Sequence, residues 1–307
     1  MIVYQNFDGF VSDKGLALSL GMFDGVHLGH QSILDALKER ASDLNLETGI
    51  LTFWPHPRLV FDQKGDLKLL NTLDEKVYHL TQQRIDHLFL KEFDSAFRNL
   101  EGKDFIEQIL YKTLNVKHLI VGYDHQFGKN RSGNYALLKE LSTKYGYTVE
   151  QMEAVNLHEN TISSTKIRRA LELGDIKNAN SMLGYDFSIE GKVVHGKKIG
   201  RTIGFPTANI AVDSLKMVPM NGAYIVEVII EGQKLMGMLS VGTNPTVDGK
   251  QLSVEVNILD FQQNIYDKNI TVVFKSFLHP EIKFESIELL IDILKEDEQK
   301  TREFFTT

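Results

Sequence analysis

Two stretches of the chain carry residue types suited to phosphate chemistry. The first is Gly21-Met22-Phe23-Asp24-Gly25-Val26-His27-Leu28-Gly29-His30, directly after the apolar run Leu16 to Leu20. Glycines at 21, 25 and 29 let a backbone approach a ligand closely. His27 and His30 are three residues apart, so at the start of a helix they share one face. A helix N-terminus favours an anion, and two imidazoles beside it can donate hydrogen bonds to a triphosphate. Such histidine pairs also occur as plain surface residues. A His–His metal site is the rival chemistry, but no clear carboxylate neighbour completes one.

The second stretch runs from Gly196 to Asn209 and contains Gly200, Gly204, Phe205, Pro206 and Thr207. It is not a Walker loop, because no Gly-Lys-Ser/Thr ends it and no helix pattern follows. Its glycines can still expose amides to phosphate, while Thr207 and Asn209 offer two oxygens to a hard cation such as Mg²⁺. Taken alone, the same residues read as a simple turn. Aromatic and polar residues also gather in Phe53-Trp54-Pro55-His56-Pro57-Arg58 and in Tyr123-Asp124-His125-Gln126-Phe127-Gly128, where a flat heteroaromatic substrate could stack.

The elements that must hold these residues differ between the two halves. Over residues 1–160, strand-like runs (Leu16 to Leu20, Gly49 to Phe53, Leu88 to Phe93, His118 to Gly122) alternate with helical patterns. The helices are expected at Gln31 to Ala41, Lys76 to Ile85, Lys103 to Leu114 and Gly133 to Tyr145. That alternation predicts a Rossmann-like parallel sheet with helices on both faces, whose ligand crevice lies at the carboxyl ends of the strands. The second half has strand-like runs at Phe187 to Val194, Ala223 to Ile230, Lys234 to Val241, Leu252 to Leu259 and Ile270 to Phe277. One long helical pattern follows, from Ser286 to Phe304. Short strands with a terminal helix predict a small antiparallel β-barrel. Within it, Glu255 interrupts Val254 and Val256, so its side chain points to the face opposite theirs. A helical connection, Ile167 to Leu183, puts the expected boundary at Gly184, giving domains 1–184 and 185–307.

Composition narrows the chemistry. The 307 residues include no cysteine, which removes disulfides, thiolate metal sites and thiol nucleophiles together. The net charge of −7 is spread as −3 over residues 1–185 and −4 over 186–307. With no basic domain, sequence-independent nucleic-acid binding is not expected. No apolar run approaches the roughly 20 residues of a membrane span, and no signal-peptide pattern opens the chain. A cytoplasmic protein with no obligate protein partner is the expectation.

The first motif resembles the nucleotidyltransferase superfamily with a His-x-Gly-His signature, whose members transfer a nucleoside monophosphate to a phosphate and release pyrophosphate. Ile162-Ser163-Ser164-Thr165-Lys166-Ile167-Arg168 is similar to its second signature. Ser163 or Ser164 suits a helix N-cap, and Arg168 falls one turn in, where it would neutralise a leaving pyrophosphate. Together with the two aromatic segments, the pattern resembles the FMN adenylyltransferase half of bacterial bifunctional riboflavin kinase/FAD synthetases. Gly-Phe-Pro-Thr-Ala-Asn at 204–209 resembles the hallmark of the riboflavin kinase barrel that forms their other half. Asn221-Gly222-Ala223-Tyr224, Gly242 to Thr246 and Glu255-Val256-Asn257 follow in the matching order.

The resemblance covers about residues 15 to 300 and implies a bifunctional enzyme. Riboflavin is phosphorylated to FMN with MgATP, and FMN is adenylylated to FAD; retention of only one activity is the alternative. It implies Glu255 as base toward the ribityl hydroxyl, and Thr207 and Asn209 on Mg²⁺. Gly196, Gly200, Gly204 and Pro206 fall on the kinase nucleotide. His27, His30 and Arg168 act in adenylyl transfer, with Gly21, Phe23, Asp24, Gly29, Ser163, Ser164 and Thr165 on its nucleotide. Phe53, His56, Pro57, Asp124 and Phe127 fall on the flavin. This chain departs from the pattern where relatives often have Asn (Met22), Phe-Arg (His125-Gln126) and Arg (His279).

Overall fold

The computed structural model describes residues 1–61, 67–157, 160–196, 199–246, 249–283 and 285–306. It divides into two compact units, Met1–Ser163 and Ser164–Thr307.

The first unit is built on six strands: β1 (Ile2–Tyr4), β2 (Leu16–Leu20), β3 (Glu47–Trp54), β4 (His87–Glu92), β5 (Val116–Gly122) and β6 (Thr148–Met152). They form one parallel sheet in the order β1-β4-β3-β2-β5-β6. A short antiparallel pair, β7 (Asn156–Leu157) and β8 (Asn160–Thr161), follows. The central strand β2 is buried at every position, as expected for a strand covered on both faces. Successive residues face opposite layers. Leu16, Leu18, Leu51, Phe89 and Leu119 join one apolar cluster with Phe105, Leu110 and Leu138, whereas Ala17, Ile50, Leu88 and Ile120 join Leu34, Leu37 and Leu80 on the other side. The helices of this unit are α1 (Leu28–Leu44), α2 (Pro57–Phe61), α3 (Leu73–Gln82), α4 (Ser95–Arg98), α5 (Gly102–Phe105) and α6 (Tyr135–Tyr145); α1, α3, α5 and α6 supply buried residues to these layers.

Strand order sets the site. From β2 the chain winds outward through β3 and β4, then returns to place β5 on the other side of β2. The loops leaving β2 and β5 therefore diverge and leave a crevice at the carboxyl ends of these strands.

The second unit opens with α7 (Ser164–Glu172) and α8 (Ile176–Leu183). Its barrel comprises β9 (Ser188–Val194), β10 (Ala208–Val212), β11 (Gly222–Ile230), β12 (Gln233–Thr246), β13 (Gly249–Ile258) and β14 (Asn269–Pro280), closed in the order β10-β13-β12-β11-β14-β9. The one-turn helix α9 (Ile199–Thr202) lies between β9 and β10, and α10 (Ile287–Thr306) ends the chain. Tyr224, Val226, Val228, Val256, Val272 and Phe274 are fully buried and fill the interior.

The sequence reading omits the two-residue strands β7 and β8, and three strands of the main sheet and barrel also escape it. β1 has only three residues, β6 is a partly exposed edge, and β10 follows a Gly/Pro-rich turn that hides its period. The expected helix over 103–114 is α5 continued by a π-helical run, Ile106–Thr113. The expected Ile167 to Leu183 helix is two helices, parted at Gly174, whose φ of +72° is left-handed. Asn180 anchors α8 on the barrel: its Nδ2 donates to the Phe274 carbonyl (3.0 Å), and its Oδ1 accepts from the Phe187 amide (2.8 Å). Asn180→Ala strands both backbone groups and is expected to destabilise the second unit by about 1–3 kcal/mol, measured by urea titration followed by far-UV circular dichroism.

Candidate functional site

In the first unit, the Gly21-to-His27 loop leaves β2 and enters α1 with His27 as N-cap. His27 is 6% exposed, and its Nδ1 accepts from the His30 amide at 3.4 Å. An acceptor nitrogen carries no proton, so the neutral ring holds its hydrogen on Nε2. The two imidazoles stack with centroids 3.7 Å apart and planes within 14°. Gly29 makes this possible, because a Cβ there would press on the His27 ring at 3.2 Å. His30 Nδ1 is buried with no hydrogen-bond partner among the described residues. Burial first, then the nearby His27 and Lys76, hold the His30 ring well below the usual imidazole range. It is therefore neutral near pH 7.

Phe23 lies against His30, with ring centroids 5.1 Å apart. Asp24 is buried and accepts at Oδ1 from the Leu70 and Asn71 amides, at 3.0 and 3.2 Å, which ties the segment before α3 to this loop. One functional candidate is absent from the sequence reading. Lys76, in the first turns of α3, is 1% exposed. Its Nζ donates to the Met22 carbonyl at 2.9 Å and lies 5.3 Å from the centre of the Trp54 ring. Helix periodicity treats a lysine as a surface residue, so only packing exposes it. A capping box between Thr72 and Glu75 fixes the start of α3 and hence this placement.

A cavity of about 670 Å³ opens beside the loop, lined from the carboxyl ends of four strands. Gly21 and Met22 follow β2, Phe53 and Pro57 come from β3 and its sequel, Phe93 and Phe97 follow β4, and His125 to Arg131 follow β5. Phe53 and Phe97 are 5.1 Å apart, as are Phe105 and Phe127, giving an aromatic wall for a flat ring. Arg58, Arg98, Lys129 and Arg131 add cationic groups to the lining. His125 stacks near Phe127 and has a buried Nε2 without a partner among the described residues; burial pushes its pKa down to about 4. Of the expected flavin residues, Phe53, Pro57 and Phe127 line this cavity. His56 and Asp124 are not in its lining: His56 Nδ1 accepts from the Arg58 amide at 3.1 Å, and Asp124 is exposed.

Ser163 is the last residue of the first unit and immediately precedes α7. Ser164, Thr165 and Arg168 lie in the first two turns of α7, in the second unit.

In the barrel, antiparallel pairing sets Asn209 of β10 directly opposite Glu255 of β13. Thr207 Oγ1 donates to Glu255 Oε2 at 3.0 Å, and Ser253 Oγ donates to Oε1 at 2.9 Å. Val254 and Val256 point into the core, so Ser253, Glu255 and Asn257 share the other face, as their alternation predicts. Asn257 Nδ2 donates to the Pro206 carbonyl at 2.7 Å and fixes the turn before Thr207. Gly196 packs against the Asn209 amide, where any Cβ would collide. Gly200 accepts from the Phe205 amide at 2.9 Å, and Gly204 has φ +88°. Lys197 and Lys198 lie outside the described residues. A cavity of about 550 Å³ adjoins this turn, lined by Arg201, Pro206, Thr207, Ala208, Phe261 and Tyr266 among others.

Among the described residues no group of three or more His, Cys, Asp or Glu side chains is placed to hold a metal. Thr207 Oγ1 lies against the Glu255 carboxylate, and Asn209 sits opposite Glu255 on the paired strand; Thr207 and Asn209 carry oxygen atoms of the kind a hard divalent cation takes. A threonine hydroxyl that gives its proton to Glu255 still has lone pairs for such an ion.

The chain matches two family models, FAD synthetase over residues 10–166 and riboflavin kinase over 183–305. It is 39% identical to the bifunctional riboflavin kinase/FMN adenylyltransferase of Haemophilus influenzae over 96% of both chains. Identity to the protein of that name from Escherichia coli (strain K12) is 38%, over 95% of this chain and 93% of the other. A solved structure from Streptococcus pneumoniae, described as a macrolide-efflux protein, superposes with a TM-score of 0.89 at 31% identity, covering 98% and 99% of the two chains. No helix among the described residues of this chain is long and apolar enough to cross a membrane.

Lys76 supplies a stability signature for the first unit. Burial pushes its pKa down to about 8, with Asp24 opposing the shift. An unfolded lysine titrates near 10.4, so between about pH 8 and 10.4 the unfolded chain binds more protons than the folded one. Stability of the first unit should therefore rise across that window, and Lys76→Met should remove that part of the rise. Urea midpoints read by Trp54 fluorescence at about pH 7.5 and about pH 10 check the sign.

Proposed function

The chain belongs to the bifunctional riboflavin kinase/FMN adenylyltransferase family, an enzyme that phosphorylates riboflavin to FMN and adenylylates FMN to FAD, and we propose how its residues divide the work. The chemistry divides at residue 184: adenylyl transfer before it and phosphoryl transfer after it.

In the barrel, Glu255 accepts the proton of the ribityl 5′-hydroxyl as its oxygen bonds to the γ-phosphorus of ATP and ADP departs. Its carboxylate is oriented by Thr207 and Ser253, one on each oxygen, and each oxygen keeps a second acceptor direction. Thr207 and Asn209 would hold Mg²⁺, which supplies charge neutralisation on the transferring phosphoryl group. Gly196, Gly200, Gly204 and Pro206 shape the turn whose amides meet the phosphates. The observation that carries the kinase assignment is the Glu255–Thr207 hydrogen bond across from Asn209.

In the first unit, an oxygen of FMN's own phosphate bonds to the α-phosphorus of ATP as the bond to pyrophosphate breaks. No protein nucleophile is needed, which agrees with a chain lacking cysteine. His27 and His30 position the α-phosphate and stabilise charge on its oxygens. Gly21, Phe23, Asp24 and Gly29 shape that loop. Ser163, Ser164, Thr165 and Arg168 keep the phosphate role implied by the sequence resemblance. The isoalloxazine ring stacks in the aromatic cavity beside Phe53, Pro57 and Phe127, and the resemblance adds His56 and Asp124 to the flavin contacts. Riboflavin, FMN and ATP account for all these roles, and a cytoplasmic setting follows from the supply of ATP. Two family matches in order along one chain favour two activities over one.

Supplying riboflavin or FMN separately, with MgATP, and separating products by chromatography tests each assignment. Glu255→Gln should lower FMN formation by about 10²–10⁴-fold, as for loss of a general base, and leave FAD formation from supplied FMN intact. His30→Ala should do the reverse, lowering FAD formation by about 10²–10³-fold. A variant that abolishes both steps, or neither, contradicts its assignment.

A further inference from the structure

Lys76 is a fully buried ammonium one helix away from the loop that carries the histidine pair. Its Nζ donates to the Met22 carbonyl at 2.9 Å, and Thr52 Oγ1 donates to the same oxygen at 3.2 Å. Two donors on one carbonyl fix the plane of the Met22–Phe23 peptide. In a trans peptide the N–H points opposite to the C=O, so the Phe23 amide is turned away from Lys76. The next residue is strained, with Phe23 at φ +48°, a region a bulky side chain avoids unless its surroundings impose it. The imposed turn lays the Phe23 ring beside Gly21 and 5.1 Å from the ring of His30.

We propose that Lys76 is a positioning residue for adenylyl transfer: it clamps the Met22 carbonyl, imposes the Phe23 turn and, through the Phe23 ring, sets the place of His30, with its own charge held beside the histidine pair. The inference rests on the reading of this loop as the adenylyl-transfer site. Among the described residues, the charged or titratable groups bearing on His30 are His27 and Lys76, and the one bearing on Lys76 is Asp24. Lys76 and His27 both disfavour a proton on His30. A neutral His30 offers one donor and one acceptor nitrogen where a protonated ring would offer two donors. The bonded atom at position 22 is a main-chain oxygen, which any residue supplies.

The test uses the full chain with FMN and MgATP. Trp54, the chain's single tryptophan, lies under Lys76 and reports folding of the first unit. Lys76→Met should lower FAD formation by about 100-fold, the scale of one misplaced transition-state donor, while FMN formation from riboflavin is unchanged. It should also raise the His30 titration midpoint, followed by its imidazole resonances in NMR. Lys76→Gln keeps a donor for the Met22 carbonyl without the charge. It should recover part of the lost rate and show the same raised midpoint. A folded Lys76→Met protein with wild-type FAD formation overturns the proposal, and so does a slower one whose His30 titration has not moved. If Lys76→Met fails the Trp54 criterion, Thr52→Val decides, because it removes the other donor and leaves the charge. A loss of about tenfold with the His30 midpoint unmoved supports the clamp, and a wild-type rate overturns it. Absence of FAD formation by the unaltered protein instead overturns the adenylyl-transfer reading itself.

Discussion

In each unit a glycine-rich turn is held from outside by side-chain donors on one backbone carbonyl. Lys76 reaches from α3 to the Met22 carbonyl, and Asn257 reaches from β13 to the Pro206 carbonyl. The turn residues themselves cannot provide this rigidity, since glycine loses more conformational freedom on ordering than any other residue. A donor carried on a packed helix or strand supplies it, because its own position is already set by the core. The histidine stack depends on the first clamp, and the alignment of Thr207 with Glu255 on the second.

The handling of charge follows from the same arrangement. A protein of net −7 meets polyanionic substrates with local rather than global attraction. His30 and His125 are both kept neutral near pH 7, chiefly by burial. Positive charge is left to Arg58, Arg98, Lys129 and Arg131 around an aromatic cavity, where guanidinium and ammonium groups stay charged. In the barrel the Glu255 carboxylate accepts one hydroxyl on each oxygen, from Thr207 and from Ser253.

Legibility in the sequence followed physical scale. Strands such as Leu16–Leu20 were readable because a core strand must be apolar throughout, and the facing of Glu255 because it alternates with the buried Val254 and Val256. β10 and β6 were not, one following a Gly/Pro-rich turn and the other an edge strand whose residues answer partly to solvent. The break at Gly174 was missed because a single left-handed residue does not interrupt the apolar period on either side of it. Lys76 was invisible for a related reason: nothing local distinguishes a lysine that will be buried from one that will face water.

The sequence by itself determined the order of chemistries along the chain, the residue types of both sites and the two architectures that carry them. Those are properties of spacing and pattern, and they survive without coordinates. Only the tertiary structure decided which groups meet. It set Asn209 opposite Glu255 by strand register, brought Lys76 under the Met22 carbonyl, and gathered four strand ends around one cavity. These contacts join residues up to about a hundred positions apart, and their geometry comes from packing the whole core rather than from any local preference.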